Sequence, residues 1–211
     1  MKIHPLLTAV FLATLALAGC DKTPAPAPAA PAASATATSD KAASEPVSIA
    51  AITASATGFT VGEPMAAHTV YVFFDAECPH CADLWEAAKP LKTEARFVWI
   101  PVGVLNQAST DQGAAILASK DPAAAMDAHE TSMRAHLGGI KTTTDTSAQK
   151  AEVKKNTELM IRFGFDAIPT IVATNAQTGA LVTQEGASAT PALAKLLGLR
   201  IPFDQTNAPA S

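Results

Sequence analysis

From Thr69 to Phe74 the chain reads TVYVFF, an unbroken run of β-branched and aromatic side chains. A strand with one wet face would alternate apolar and polar positions, so this run predicts a central strand covered on both faces. A polar break at Asp75-Ala76-Glu77 ends it, and the period then changes. Cys81, Leu84, Trp85 and Ala88 recur at three- and four-residue spacing, the stripe of a helix with one buried face. Ala95 to Leu105, ARFVWIPVGVL, predicts a second buried strand, joined to the first through that helix as a βαβ unit. Helices are predicted over Ser109 to Ser119, from Pro122 toward Gly138-Gly139 with Asp121 as N-cap, and from Ser147 to Phe163 with Gly164 closing it. Ala167 to Thr174 reads as a strand entered through Pro169, continuing through a short Gly-containing loop into Ala180-Leu181-Val182-Thr183 as a hairpin. Thr190-Pro191 opens a last helix that Gly198 stops. Val47 to Val61 is weakly patterned and is expected to form a short strand or an extended segment. The order β-α-β, helices, β-β-α makes this an α/β chain with one domain over 47–203, carrying a helical insertion at about 106–165, and a loose tail over 204–211.

The N-terminal pattern is of another kind. Lys2 precedes an apolar stretch, Leu6 to Ala18, that is too short to span a bilayer as a helix, so residues 1–19 read as an export signal. The stretch ends Leu17-Ala18-Gly19-Cys20, which resembles the lipobox of bacterial lipoproteins and implies lipidation of Cys20. Asp21 is similar to the residue that keeps such proteins in the inner membrane. From there to Pro46 the chain is mostly Ala, Pro, Ser and Thr with no large apolar side chain, and reads as a disordered tether over 20–46. The formal net charge is −4, one unit more negative once Lys2 leaves with the signal. With no basic patch interleaved with aromatics, nucleic acid is excluded as a partner.

The chemistry sits at the strand-to-helix junction, in Cys78-Pro79-His80-Cys81. Pro79 suits the first helical position, which places Cys78 at the helix N-terminus among unpaired amides and the positive end of the dipole. Both favour thiolate over thiol, and a protonated His80 pushes the same way. Cys81 falls on the same helical face, so a disulfide between the two is geometrically easy. Cys78 is assigned as the exposed nucleophile and Cys81 as the buried resolving thiol. Zinc would need two further Cys or His ligands, and the one other cysteine is Cys20. Haem attachment needs His directly after the second cysteine, where Ala82 stands. A disulfide closing a two-residue loop would stabilise the fold only weakly. A redox-active Cys78–Cys81 disulfide is therefore expected, with no metal and no other cofactor. The alternative is a copper-handling protein that adds the helical stripe Met126, His129, Met133 and His136 to the cysteines.

The element order, the cysteine motif at the start of the first helix and the strand-opening proline together resemble the thioredoxin fold, a central mixed sheet in which that proline is cis. VYVFFDAECPHCADLWEAAKP, PVGVL and GAAILASKDPA are similar to segments of the periplasmic Dsb proteins, above all the catalytic domain of the DsbG/DsbC group. The resemblance implies a thiol-disulfide oxidoreductase, with Cys78 attacking and Cys81 resolving. It further implies that Pro79 and His80 tune the potential and that Ile168-Pro169 contacts substrate polypeptide. Implied partners are exported proteins with cysteines and a membrane redox partner of the Dsb type. The chain departs from that group in three ways. A lipobox and tether stand where a dimerisation domain would be, implying a monomer; the Pro-His dipeptide is like that of the oxidant DsbA; and Ile168 replaces the usual threonine before the proline.

Overall fold

The computed structural model describes residues 44–202. The expected signal, Cys20, most of the tether and the tail over 204–211 lie outside the described residues. Five strands, β1 (Phe59–Gly62), β2 (Thr69–Asp75), β3 (Arg96–Val102), β4 (Thr170–Thr174) and β5 (Leu181–Glu185), form one mixed sheet in the order β1-β3-β2-β4-β5. The apolar run is the middle strand. β2 pairs in parallel with β3, from Thr69 opposite Arg96 to Asp75 opposite Val102, and antiparallel with β4. Among the described residues six α-helices surround it: α1 (Ile49–Ser55), α2 (Pro79–Ala88), α3 (Gln107–Ala118), α4 (Pro122–Arg134), α5 (Ser147–Arg162) and α6 (Thr190–Leu197).

The strand period of two divides the core. Val70, Val72 and Phe74 join Phe97, Trp99, Ile171 and Ala173 on one face, under Leu84 and Trp85 of α2 and Leu193 and Leu197 of α6. Tyr71 and Phe73 join Ile100, Val102 and Val172 on the other, against Ile52 of α1 and Leu159 and Met160 of α5. Both faces are thus dry, as the unalternated sequence requires. Trp99 centres the first face, its ring 4.9 Å from Trp85 and 5.7 Å from Phe74, both edge to face.

Several boundaries differ from those expected. Val47 to Val61 is not extended throughout: α1 occupies Ile49–Ser55, with the Ser48 hydroxyl accepting from the Ala51 amide, and β1 follows. The segment looked unpatterned because Ile52 is the only buried residue α1 contributes. α4 ends at Arg134 rather than at Gly138, because His136 takes a left-handed turn (φ 57°) that a helix cannot continue through. Pro90 sits in a single 3₁₀ turn, Lys89–Leu91. Gly198 ends α6 as expected, in the left-handed conformation at φ 69°.

Two polar ties hold the second face. Asn156 is fully buried; its Oδ1 accepts from the Thr57 amide at 2.9 Å, and its Nδ2 donates to the Thr57 and Pro101 carbonyls at 2.8 and 2.9 Å. At the start of the described chain, the Glu45 amide donates to Arg162 O at 2.7 Å and its carboxylate pairs with the Arg162 side chain.

Candidate functional site

The site is built where β2 ends. Asp75 is the last residue of the strand and fully buried, yet its carboxylate is well used. Its Oδ1 accepts from the Glu77 amide at 2.9 Å, and its Oδ2 from the Val104 and Leu105 amides at 2.9 and 3.1 Å. One side chain therefore fixes both the turn leading into the cysteines and the loop leaving β3. The Cys78 amide donates to Asp75 O at 3.1 Å, Cys78 is the N-cap of α2, and Pro79 opens the helix.

Cys78 is less open than expected, only 7 % exposed, with Cys81 completely buried behind it. The Cys81 thiol donates a hydrogen bond to the Cys78 sulfur and is the largest influence lowering its pKa to about 6. The Cys81 and His80 amides lower it further. No capping hydrogen bond of regular geometry reaches the sulfur, so these amides act through their partial charge. Burial and the Asp75 carboxylate oppose the shift without reversing it. Cys81 is driven strongly the other way, first by burial and then by the adjacent Cys78 sulfur. The pair thus divides into a thiolate and a retained thiol. Thiolate absorbance of the reduced protein should rise with a midpoint at about 6 for one cysteine only; a midpoint at the ordinary thiol value of about 8.5 would contradict this assignment.

The His80 imidazole is 72 % exposed and 3.6 Å from Asp83, and it is the His80 backbone amide that helps lower the Cys78 pKa. Ile168-Pro169 is brought to the motif, and the Ile168–Pro169 bond is cis. The Cys78 sulfur lies 3.8 Å from Ile168 O and donates to it only while it holds its proton, and Pro169 O accepts from the Gly186 amide at 2.8 Å.

Sequence reasoning missed the contribution of α4. The Trp85 indole donates to Asp127 at 2.8 Å, and Arg134 reaches Glu86 at 3.3 Å and Ala82 O at 3.4 Å. His129 is completely buried, its Nε2 donating to Ala76 O at 2.7 Å and its Nδ1 accepting from the Ile140 amide at 3.1 Å. These two bonds require the neutral Nε2–H tautomer, and burial favours the neutral ring by depressing its pKa. The copper reading is therefore not supported. Both nitrogens of His129 are engaged, Met126 is a fully buried part of the core, and His136 lies beyond the helix end. Among the described residues no group of three His, Cys, Asp or Glu side chains could hold a metal ion. The stripe marks the face that docks on the cysteine motif, a role its spacing alone could not distinguish from metal binding.

Between α2 and α4 a cavity of about 390 Å³ opens beside Cys78. Ala76, Pro79 and Ala82 line one side, Glu130 and Met133 the other.

The sequence profile of the thioredoxin family, described as Thioredoxin, matches residues 54–193. The chain belongs to the thioredoxin family. Among curated thioredoxin-family relatives, it is 36 % identical to the thiol:disulfide interchange protein DsbG of Pseudomonas aeruginosa over 147 residues, 66 % of this chain and 54 % of that one. It is 34 % identical to DsbG of Escherichia coli over 104 residues, 48 % of this chain and 42 % of that one. The chain thus spans about half the length of the curated relatives it matches. Among solved structures, Pseudomonas aeruginosa DsbA2 superposes with a TM-score of 0.54 at 21 % identity, covering 65 % of this chain and 91 % of that one. A periplasmic thioredoxin-like protein from Salmonella enterica serovar Typhimurium gives 0.52 at 16 % identity, covering 67 % and 88 %. These two share the thioredoxin fold with the present chain.

Proposed function

We propose that this protein is a thiol-disulfide oxidoreductase that exchanges disulfides with exported, cysteine-containing polypeptides through a mixed disulfide at Cys78. The observation that carries the reading is the split pair, with Cys78 held as a thiolate by the thiol and amides of the helix it caps, and Cys81 kept protonated behind it. The similarity to DsbG, named a thiol:disulfide interchange protein in both relatives, supports the same reaction class.

In the reducing direction, the Cys78 thiolate attacks one sulfur of a substrate disulfide. That S–S bond breaks, and the second substrate sulfur leaves as a thiolate that takes a proton. Cys81 then loses its proton and attacks the Cys78 sulfur. The mixed disulfide opens, the first substrate sulfur is released, and two electrons have passed from the protein to the substrate as Cys78–Cys81 forms. Oxidation of a substrate dithiol runs the same steps backwards. A stabilised thiolate favours the reduced protein and so makes its disulfide a better oxidant, which argues for donation to reduced polypeptides. Ile168-Pro169, facing the sulfur, is the proposed contact for substrate backbone. The disulfide itself is the only redox group this chemistry needs.

The signal-like residues 1–19, the lipobox-like Leu17-Ala18-Gly19-Cys20 and Asp21 support a protein held by lipid at the periplasmic side of the inner membrane, recharged by a membrane redox partner of the Dsb type. Among the described residues no helix is long and apolar enough to cross a membrane. Thiol trapping in cells tests the direction. A mostly oxidised Cys78–Cys81 pair is expected; a mostly reduced pair would make the protein a reductase or isomerase, and failure to equilibrate with glutathione would refute the exchange reaction itself.

A further inference from the structure

Glu130 lies on the wall of the cavity beside Cys78, is only 2 % exposed, and has a buried carboxyl oxygen with no hydrogen-bond partner. A buried acceptor left unpaired is costly, and a buried unpaired charge more so. Such a group is stable when it holds a proton or when a donor arrives from outside. The rest of the cavity indicates which donor would suit. Its walls are apolar where Ala76, Pro79, Ala82 and Met133 face it, and Glu77 and Asp83 add acidic groups to the lining. Arg134 attracts the Glu130 carboxylate but is committed to Glu86 and the Ala82 carbonyl, and His136 is the remaining basic residue of the lining. Glu86, Asp83 and the Cys78 thiolate all repel negative charge on Glu130. An apolar shaft with an acid on its wall matches a side chain with an aliphatic stem and a cationic head. A volume of about 390 Å³ is within the usual range of binding pockets.

We infer that this cavity is a subsite for a lysine or arginine side chain lying close to the reacting cysteine of the substrate polypeptide, and that Glu130 is the carboxylate that receives it. The inference rests on the redox reading above and adds to it the substrate feature that the site selects. Burial, the largest influence, raises Glu130 to about 7, so the empty subsite is partly protonated near neutral pH and an arriving cation would draw it into the ionised form.

The test uses two disulfide-containing peptides that differ only in having lysine or norleucine beside the cysteine. Each rate with the reduced full-length protein is divided by the rate of the same peptide with dithiothreitol, which removes the intrinsic effect of lysine on the leaving thiol. The normalised kcat/KM should favour the lysine peptide by about tenfold, as expected for one charge-assisted contact. In Glu130→Gln that ratio should fall to about one. The ratio should also grow as pH rises through about 7, and since both peptides use the same Cys78 thiolate, the ionisation of Cys78 cancels. Should Glu130→Gln not fold, Met133→Lys, which supplies a cation from the chain itself, should erase the preference instead. Equal normalised rates in the wild type, or a preference that persists in either variant, would overturn the subsite while leaving the redox reading intact. No exchange with either peptide or with glutathione would overturn the redox reading, and the subsite with it.

Discussion

Replacing Cys81 with serine is expected to turn the protein into a trap. Cys78 keeps the helix N-terminus and the His80 and Cys81 amides that favour its thiolate, so it still attacks, though with a somewhat higher pKa once the Cys81 thiol is gone. What disappears is the second sulfur that would release the bound polypeptide. Exported proteins should then accumulate as mixed disulfides that reductant dissolves, and multiple turnover should fall by roughly a thousandfold or more, as when a residue acting in a catalytic unit is removed. Cys78→Ser should lose turnover to the same extent but capture nothing, because Cys81 is fully buried and its burial strongly favours the unreactive thiol. Non-reducing gels of the two variants read the difference. Capture through Cys81 in the Cys78→Ser protein would show that the roles of the two sulfurs had been assigned the wrong way round.

The largest effect on stability is expected at Asp75. Its two oxygens accept three backbone amides, from Glu77, Val104 and Leu105, at a position with no access to water. Asp75→Ala leaves those amides without an acceptor, at about 1 to 3 kcal/mol for each that stays buried, so a total loss of about 3 kcal/mol or more is expected in urea unfolding. Asp75→Asn retains one carbonyl oxygen and should cost clearly less. Removing the carboxylate also removes one of the influences that raise the Cys78 pKa, so Asp75→Asn should move the thiolate midpoint to lower pH. A loss under about 1 kcal/mol in Asp75→Ala would mean that the two loops are held by something else.

The parts of this molecule that could be read from sequence are those whose cause is local. The unalternated Thr69–Phe74 run identified a strand covered on both faces. Asp121-Pro122 and Thr190-Pro191 gave the starts of α4 and α6, and Gly198 the end of α6. The position of the cysteines at a strand-to-helix junction was equally plain, since Pro79 fixes it within two residues. What could not be read depends on partners distant in the chain. The three- and four-residue spacing in α4 announces a buried face but not what that face meets, so His129 looked like a ligand when it is a hydrogen-bonded post under Ala76. Glu130 gave no signal at all, because a lone glutamate in a helix is ordinarily solvated and only the fold places this one beside Cys78. Likewise Cys78 was expected to be open, and its recess is formed by residues some fifty and ninety positions downstream.

The polar links between α4 and the cysteine-bearing helix bear on how this architecture can be shortened. Residues 106–165 look like an addition to a smaller sheet-and-helix unit, and so invite excision by design. Doing so would strip the Trp85 indole and the Ala76 carbonyl of their partners and remove Ile116 and Met126 from the hydrophobic cluster beneath α2. The minimal fold is therefore not nested intact inside the larger one, and a truncated protein would have to be repacked around its own reactive sulfur before it could stand alone.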